Sequence, residues 1–529
     1  MLFTSYGFIA FLAIMFAVYF LAPKKWQWVT LLIGSYVFYA FAGLEYLVFI
    51  LFTTVSAYVI SRLLKSALDK ENGYIEKSRD TLSKEERKAY RAKAKKKRFH
   101  ILLWGLVLNF GVLAVLKYTA FAVHNVNGVL SLFGREGLTV PSLLLPMGIS
   151  FYTFQTMGYL IDVYRAKAEV EKNPAKLALF VSFFPQLVQG PISRFSDLGA
   201  QLTAPHKFET KTFTFGLQRI LWGYFKKLVI ADRVLVAMNT MLDAPEDFKG
   251  VYVLLLILLY SIQIYADFTG GIDITIGIAE AMGIKLAENF DRPFSSRSTK
   301  EYWRRWHITM GTWFKDYIFT PLSVTAPVMK LNKFLSGKIG RRAASKTVAY
   351  IASGVTWFLT GLWHGAGWNF IVWGLLNCLV IIVSEALEPT YNKFHDRFPR
   401  LTSSAAYGKF MAVRTFLLMG LIRSLDCYRN VGVTFTMWGS MFTFKGIGSL
   451  FSGGIFELGL GLTDFIIILV GVCVVYAISN MHAKGSVRER LWQRPVLSAA
   501  LCVTLFLAVI MLGAYGAGYD ASQFIYNQF

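Results

Sequence analysis

The chain has 529 residues, 55% of them hydrophobic and 16% aromatic, with a mean hydropathy of +0.46 and only 16% charged. That is far more apolar than a water-soluble domain needs and excludes one. The formal net charge of +23 sits between apolar runs, so it reads as the positive-inside asymmetry of a membrane protein, with a minor part in attracting anionic lipid, rather than as a nucleic-acid patch.

Windows of about 17 to 25 apolar residues, long enough to cross a bilayer as helices, recur along the chain. They lie at 6–22, 27–43, 46–61, 101–123, 143–161, 215–233, 251–280, 347–363, 366–384, 411–424, 462–480 and 496–516. The expected fold class is an all-α polytopic membrane protein with about 11–13 transmembrane or re-entrant helices in one bundle. Residues 1–529 are expected to form a single membrane-embedded domain. The first window has no basic residue before it and Pro23-Lys24-Lys25 after it, unlike a cleaved signal peptide.

Between Ser61 and His100 lie fourteen Lys or Arg against six acidic residues, so 61–100 is expected as a basic cytoplasmic loop. Counting spans from it places the N-terminus outside. The basic segments 330–346, 392–414 and 484–494 then fall inside, and 517–529 becomes an extracytoplasmic, aromatic C-terminal tail.

Ionisable groups inside spans cost about 2.5 to 3.5 kcal/mol each on insertion scales, so each marks a candidate site. Asp267 and Asp273 flank Gly270-Gly271 in an apolar run, where the glycines permit a kink or a close helix approach. These carboxylates are either site residues or structural anchors ion-paired to Arg304 or Arg305. Glu301-Tyr-Trp-Arg-Arg-Trp-His307 and its continuation to Tyr317 are too charged to face lipid. As one helix it would set Trp303, His307, Met310 and Phe314 on a shared face lining a wet cavity. The run 347–384 holds 38 residues, about 57 Å of helix and so two crossings. Its natural break is near Gly361, Gly365 and Gly367, which puts His364 at a turn beside a cavity.

Cys378, Cys427, Cys473 and Cys502 are scattered and show no C-x-x-C spacing, so neither a disulfide framework nor a metal site is expected. With no G-x-S-x-G elbow either, two histidines remain as the candidate chemistry. A near-neutral histidine can deprotonate a hydroxyl and then protonate a leaving thiolate, which is acyl transfer from a thioester to an alcohol.

Several stretches, in order, resemble the membrane-bound O-acyltransferase (MBOAT) family, in its bacterial branch of alginate O-acetylation and teichoic-acid D-alanylation. They are Leu145-Pro-Met-Gly-Ile-Ser-Phe-Tyr152, Phe184-Pro-Gln-Leu-Val-Gln-Gly-Pro191, Lys226-Lys-Leu-Val-Ile-Ala-Asp232, Tyr265-Ala-Asp-Phe268, Glu288-Asn-Phe290, Tyr302-Trp-Arg-Arg-Trp-His307, Asp316-Tyr317 and Gly361-Leu-Trp-His-Gly-Ala-Gly-Trp368. The chain departs from that pattern at Pro321-Leu-Ser-Val324, Trp373-Gly-Leu-Leu-Asn-Cys378 and Phe314-Lys-Asp316, which bears on the donor pocket rather than on the reaction class.

The resemblance implies that His364 and His307 are catalytic, at the narrow point of a central funnel or tunnel. Trp303, Arg304, Arg305, Trp306, Asp267, Asp273, Trp363 and Asn289 are the candidates along it. It also implies an acyl thioester donor, acetyl-CoA or a phosphopantetheinyl acyl or D-alanyl carrier protein, with no bound cofactor. The acceptor would be a cell-surface polysaccharide or teichoic acid at a bacterial cytoplasmic membrane. An extracytoplasmic partner acyltransferase, SGNH-like or of the teichoic-acid D-alanyl transfer type, would assist. The tail, with Phe524, Tyr526 and Phe529, resembles the aromatic end of that branch. It would dock a partner, relay the acyl group as a Tyr526 ester, or anchor the last helix at the interface. The rival readings are a polytopic transporter or channel and a non-catalytic scaffold for an outer transferase.

Overall fold

A computed structural model describes residues 3–515. Among these there is no strand, only helices and one isolated bridge between Phe290 and Trp306. Seven described helices are long and apolar enough to cross a membrane: Leu44–Lys77, Lys84–Leu132, Val251–Ala281, Trp368–Ala386, Ala405–Tyr428, Leu462–His482 and Pro495–Leu512. The apolar windows of Leu462–His482 and Pro495–Leu512 are only 11% and 6% buried in protein, which is tolerable only against lipid. The chain is a multi-pass membrane protein. Of the other apolar windows, some became shorter helices, such as Tyr6–Leu21, or parts of broken ones, and 347–363 lies in the continuous helix Arg341–His364.

The chain divides into two compact units, Met1–Gly216 with Ile278–Ala287, and Leu217–Gly277 with Glu288–Phe529. In the first, the basic segment is a helical hairpin rather than irregular loop. Leu47–Lys77 continues past its apolar part, the chain turns, and Ser83 and Glu86 form a capping box that starts Lys84–Leu132. Tyr74 stacks on Tyr90 at 4.2 Å, and Arg98 pairs with Glu71 at 2.9 Å.

The second unit holds all the histidine chemistry. Within it, residues 217–224, a π-helical turn Phe225–Ala231 and Asp232–Asp243 form a rod beside residues 251–277. A Cβ at Gly270 would lie 2.9 Å from the Gly223 carbonyl oxygen, so the two backbones touch there. Gly270 thus serves close approach, and the helix runs unbroken through it. The π turn lets adjacent lysines reach carboxylates on the same neighbouring helix. Lys226 pairs with Asp273 at 2.6 Å, and the fully buried Lys227 with Asp267 at 2.9 Å and Asp232 at 2.7 Å.

Candidate active site

The segment around His364 is a helical hairpin. Arg341–His364 ends at the histidine, residues 365–367 turn, and Trp368–Ala386 returns. A Cβ at Gly361 would overlap the Phe370 carbonyl, and one at Gly374 the Trp357 carbonyl, so these glycines let the two helices cross in backbone contact. The break itself falls at Gly365, where a Cβ would overlap the Phe370 ring. His364, half-buried, lies edge-on to Trp373 at 4.6 Å and to Trp363 at 5.0 Å.

His307 does not lie within one helix, as its spacing suggested. Thr299–Arg305 and Ile308–Phe314 are separate helices, and His307 between them has φ +48°, in the left-handed region. The strand-like segment 289–291 pulls the chain out of helix there. Ile308 N–H donates to the Asn289 carbonyl (3.0 Å), and Asp291 N–H to that of Arg305 (2.9 Å). A side chain in this rarely populated region persists only where its surroundings fix it, typically at functional sites.

Asn289 also decides the His307 tautomer. Its Oδ1 accepts from Thr309 N–H (3.0 Å) and Thr309 Oγ1 (2.9 Å) and lies 3.2 Å from His307 Nδ1. A backbone N–H can only donate, so that oxygen is an acceptor and Nδ1 must carry the proton. Nε2 is then the basic nitrogen of the neutral ring. Complete burial, together with the nearby positive charge of Arg423, holds the imidazole well below its usual pKa, so the neutral form persists.

Both histidines pack against one indole. Trp363 lies 5.9 Å from His307 and 5.0 Å from His364, ring centre to ring centre. Trp303 packs against Trp357 (4.9 Å) and Trp373 (5.6 Å), and its Nε1 donates to Asn377 Oδ1 at 3.1 Å. Phe268 stands edge-on to His307 at 4.9 Å. The Arg423 guanidinium covers the Trp306 ring at 3.8 Å.

The structure therefore brings together His364, His307, Trp363, Trp303, Trp306 and Asn289. Arg304 is exposed and reaches back to the Lys300 carbonyl at 3.4 Å, outside this cluster. Arg305 pairs with Glu301 at 2.7 Å. Asp267 and Asp273 are ion-paired, but to lysines of the π turn, with Arg219 as a second partner of Asp273 (2.9 Å), and not to Arg304 or Arg305. Tyr526, Phe524 and Phe529 lie outside the described residues. Sequence reasoning missed Arg423, an arginine within the apolar window 411–424 that the intramembrane-charge criterion should have flagged. It also missed Asp426, whose Oδ2 accepts from Tyr260 Oη at 2.6 Å.

The second unit also holds a cavity of about 500 Å³ lined by Asn239, Tyr260, Gln263, Asp267, Asp426 and Tyr428, among others.

A helical, multi-pass membrane protein with one buried and one half-buried histidine among aromatic rings is the class that fold and site define. Residues 169–427 match the model of the MBOAT, membrane-bound O-acyltransferase family. A probable alginate O-acetylase of Pseudomonas aeruginosa is 32% identical over 446 residues, 84% of this chain and 75% of that protein. A peptidoglycan O-acetyltransferase of Helicobacter pylori is 30% identical over 72% of this chain and 68% of its own length. A teichoic acid D-alanyltransferase of Streptococcus thermophilus is 28% identical over 54% of this chain and 69% of its own. The chain belongs to the membrane-bound O-acyltransferase family, and it is a membrane O-acyltransferase.

Proposed function

We propose that the protein moves an acetyl group from a cytosolic thioester to the outer side of a bacterial cytoplasmic membrane, for O-acylation of a cell-surface polysaccharide. The observation that carries this reading is the packing of both His364 and His307 against the ring of Trp363. His364 acts as general base on the acceptor hydroxyl and returns the proton to the departing thiolate. His307, held neutral with Nδ1 protonated, orients the hydroxyl through Nε2.

Acetyl is favoured over D-alanyl because the acetylating relatives match more of the chain at higher identity. The donor is acetyl-CoA or an acyl carrier protein. The basic segment 61–100 supports a cytoplasmic hairpin and hence extracytoplasmic N- and C-termini. An extracytoplasmic transferase would complete delivery to the polymer. The cavity lined by Tyr260, Gln263, Asp267 and Asp426 supports a hydroxyl-bearing acceptor, since its carboxylates and amides can bond hydroxyls and its tyrosines offer stacking faces.

The test is reconstitution in nanodiscs with acetyl-CoA or a D-alanyl carrier protein and a soluble acceptor oligosaccharide. Acetyl ester on the acceptor, with release of free thiol, is expected. Ester formed only from the D-alanyl donor would replace the acyl group in this reading, and solute flux in proteoliposomes without any ester would overturn it. Mass spectrometry of the peptide carrying Tyr526 after donor incubation separates relay from docking or anchoring.

A further inference from the structure

Buried cations elsewhere in the second unit are bonded to carboxylates: Lys226 and Arg219 to Asp273, Lys227 to Asp232 and Asp267, and Arg233 to Asp464. Arg423 is different. It is 5% exposed and pairs with no carboxylate among the described residues; Nε and Nη2 make no hydrogen bond of good geometry, and the side-chain oxygen that neighbours the guanidinium is the Tyr302 hydroxyl. The nearest carboxylate along its helix, Asp426, already accepts from Tyr260. Its face is covered by Trp306 at 3.8 Å, with Tyr302 at 5.6 Å and Trp303 at 5.9 Å. Stacking on a guanidinium face leaves the in-plane Nε/Nη2 edge able to donate, and that edge is the one that grips an oxygen with two bonds. A neutral hydroxyl as sole neighbour leaves a buried donor pair short of acceptors, which costs folding free energy, so a further acceptor supplied by a ligand is the economical explanation. Trp306 is the residue before His307, and the charge of Arg423 acts on that imidazole, which places the guanidinium beside the histidine cluster.

We propose that Arg423 is a catalytic residue whose Nε–H and Nη2–H receive the carbonyl oxygen of the acyl thioester. This rests on the acyl-transfer reading above. The acceptor oxygen forms a bond to the carbonyl carbon, its proton passes to His364, and the carbonyl π pair moves onto the oxygen, where the two N–H groups hold the oxyanion. The C=O bond then re-forms, the C–S bond breaks, and the thiolate takes the proton from the imidazolium. A fixed cation aimed at the developing charge is worth most in a site that excludes water. The same cation disfavours a protonated His307, so a neutral second histidine and an oxyanion donor are compatible neighbours.

The test uses the full-length protein in nanodiscs with acetyl-CoA. Arg423→Lys keeps the charge and loses the fork. Its kcat is expected to fall on the order of 10²–10³-fold, as when an oxyanion donor is removed, with KM for acetyl-CoA little changed. A raised KM at normal kcat would mean that Arg423 binds the donor's phosphates, and unchanged kinetics would mean a packing role; either overturns the proposal. Binding is read separately in the His364→Ala background, where the thioester is not consumed. The isotope-edited infrared band of bound acetyl-CoA labelled at the carbonyl carbon is expected to lie below its aqueous frequency, and Arg423→Lys to shift it back. Should Arg423→Lys not fold, the His364→Ala spectrum alone decides, and a carbonyl band at the aqueous frequency overturns the proposal. A wild-type protein that transfers no acetyl group with either histidine intact fails the functional reading itself, a result distinct from normal turnover in Arg423→Lys.

Discussion

The guanidinium of Arg423 lies 3.8 Å over the ring of Trp306, the residue that precedes His307 in the chain. This contact brings a fixed positive charge beside an imidazole that is already fully buried, and both act against the imidazolium. Removing the cation should therefore raise the His307 pKa toward its ordinary value, because the protonated form loses a repulsive neighbour. In pH profiles of the residual kcat/KM, Arg423→Gln is expected to show its acid limb at higher pH than Arg423→Lys, which keeps the charge. Superimposable limbs would mean that Arg423 does not set the protonation of His307.

Asn289 fixes the tautomer through one oxygen that serves His307 Nδ1, Thr309 N–H and Thr309 Oγ1. Asn289→Ala should cost about 10- to 100-fold in kcat, the usual range for losing a group that orients a functional histidine. Asn289→Asp should favour the imidazolium and move the acid limb upward. Steady-state kinetics on both variants checks this.

The Lys227 triad is buried, with the lysine and Asp267 both fully inaccessible. Lys227→Met takes the cation from two buried carboxylates and is expected to destabilise the protein by about 3–5 kcal/mol. The triple change Lys227→Met/Asp232→Asn/Asp267→Asn should recover much of that loss. Thermal unfolding followed by tryptophan fluorescence distinguishes the two.

Gly361→Ala puts a methyl into the Phe370 carbonyl, so the two helices must part and His364 must move. Overpacking of this kind costs about 1–3 kcal/mol, and the loss of activity should exceed what that stability change explains. Gly354, on the same helix, has nothing within 4 Å of its would-be Cβ. Gly354→Ala is therefore expected to leave activity intact and to be neutral or slightly stabilising.

Much of this was legible in the sequence, because burial in lipid leaves a strong signature. Apolar windows gave the helical class, and the scarcity of intramembrane charge drew attention to His364, His307, Asp267 and Asp273. The errors arose where a local pattern competes with a distant partner. Helical spacing put His307 on one face with Trp303, but Asn289, 18 residues upstream, breaks that helix by hydrogen bonding. Arg304 and Arg305 were the obvious partners for the aspartates by proximity in sequence, yet a π-helical turn, which has no periodicity signal of its own, brings Lys226 and Lys227 to them instead. Arg423 was passed over because one arginine near the end of an apolar window resembles an interfacial anchor. Only its stacking on Trp306 and its open donors distinguish it.

The central claim, acyl transfer at a histidine pair, is tested most directly by one measurement on purified His364→Ala in nanodiscs. Transfer of labelled acetyl from acetyl-CoA to an acceptor hydroxyl is followed beside the wild-type protein at matched folded amount. Wild-type ester formation with transfer in His364→Ala reduced to background is the expected result. Ester formed at the wild-type rate by His364→Ala would contradict it.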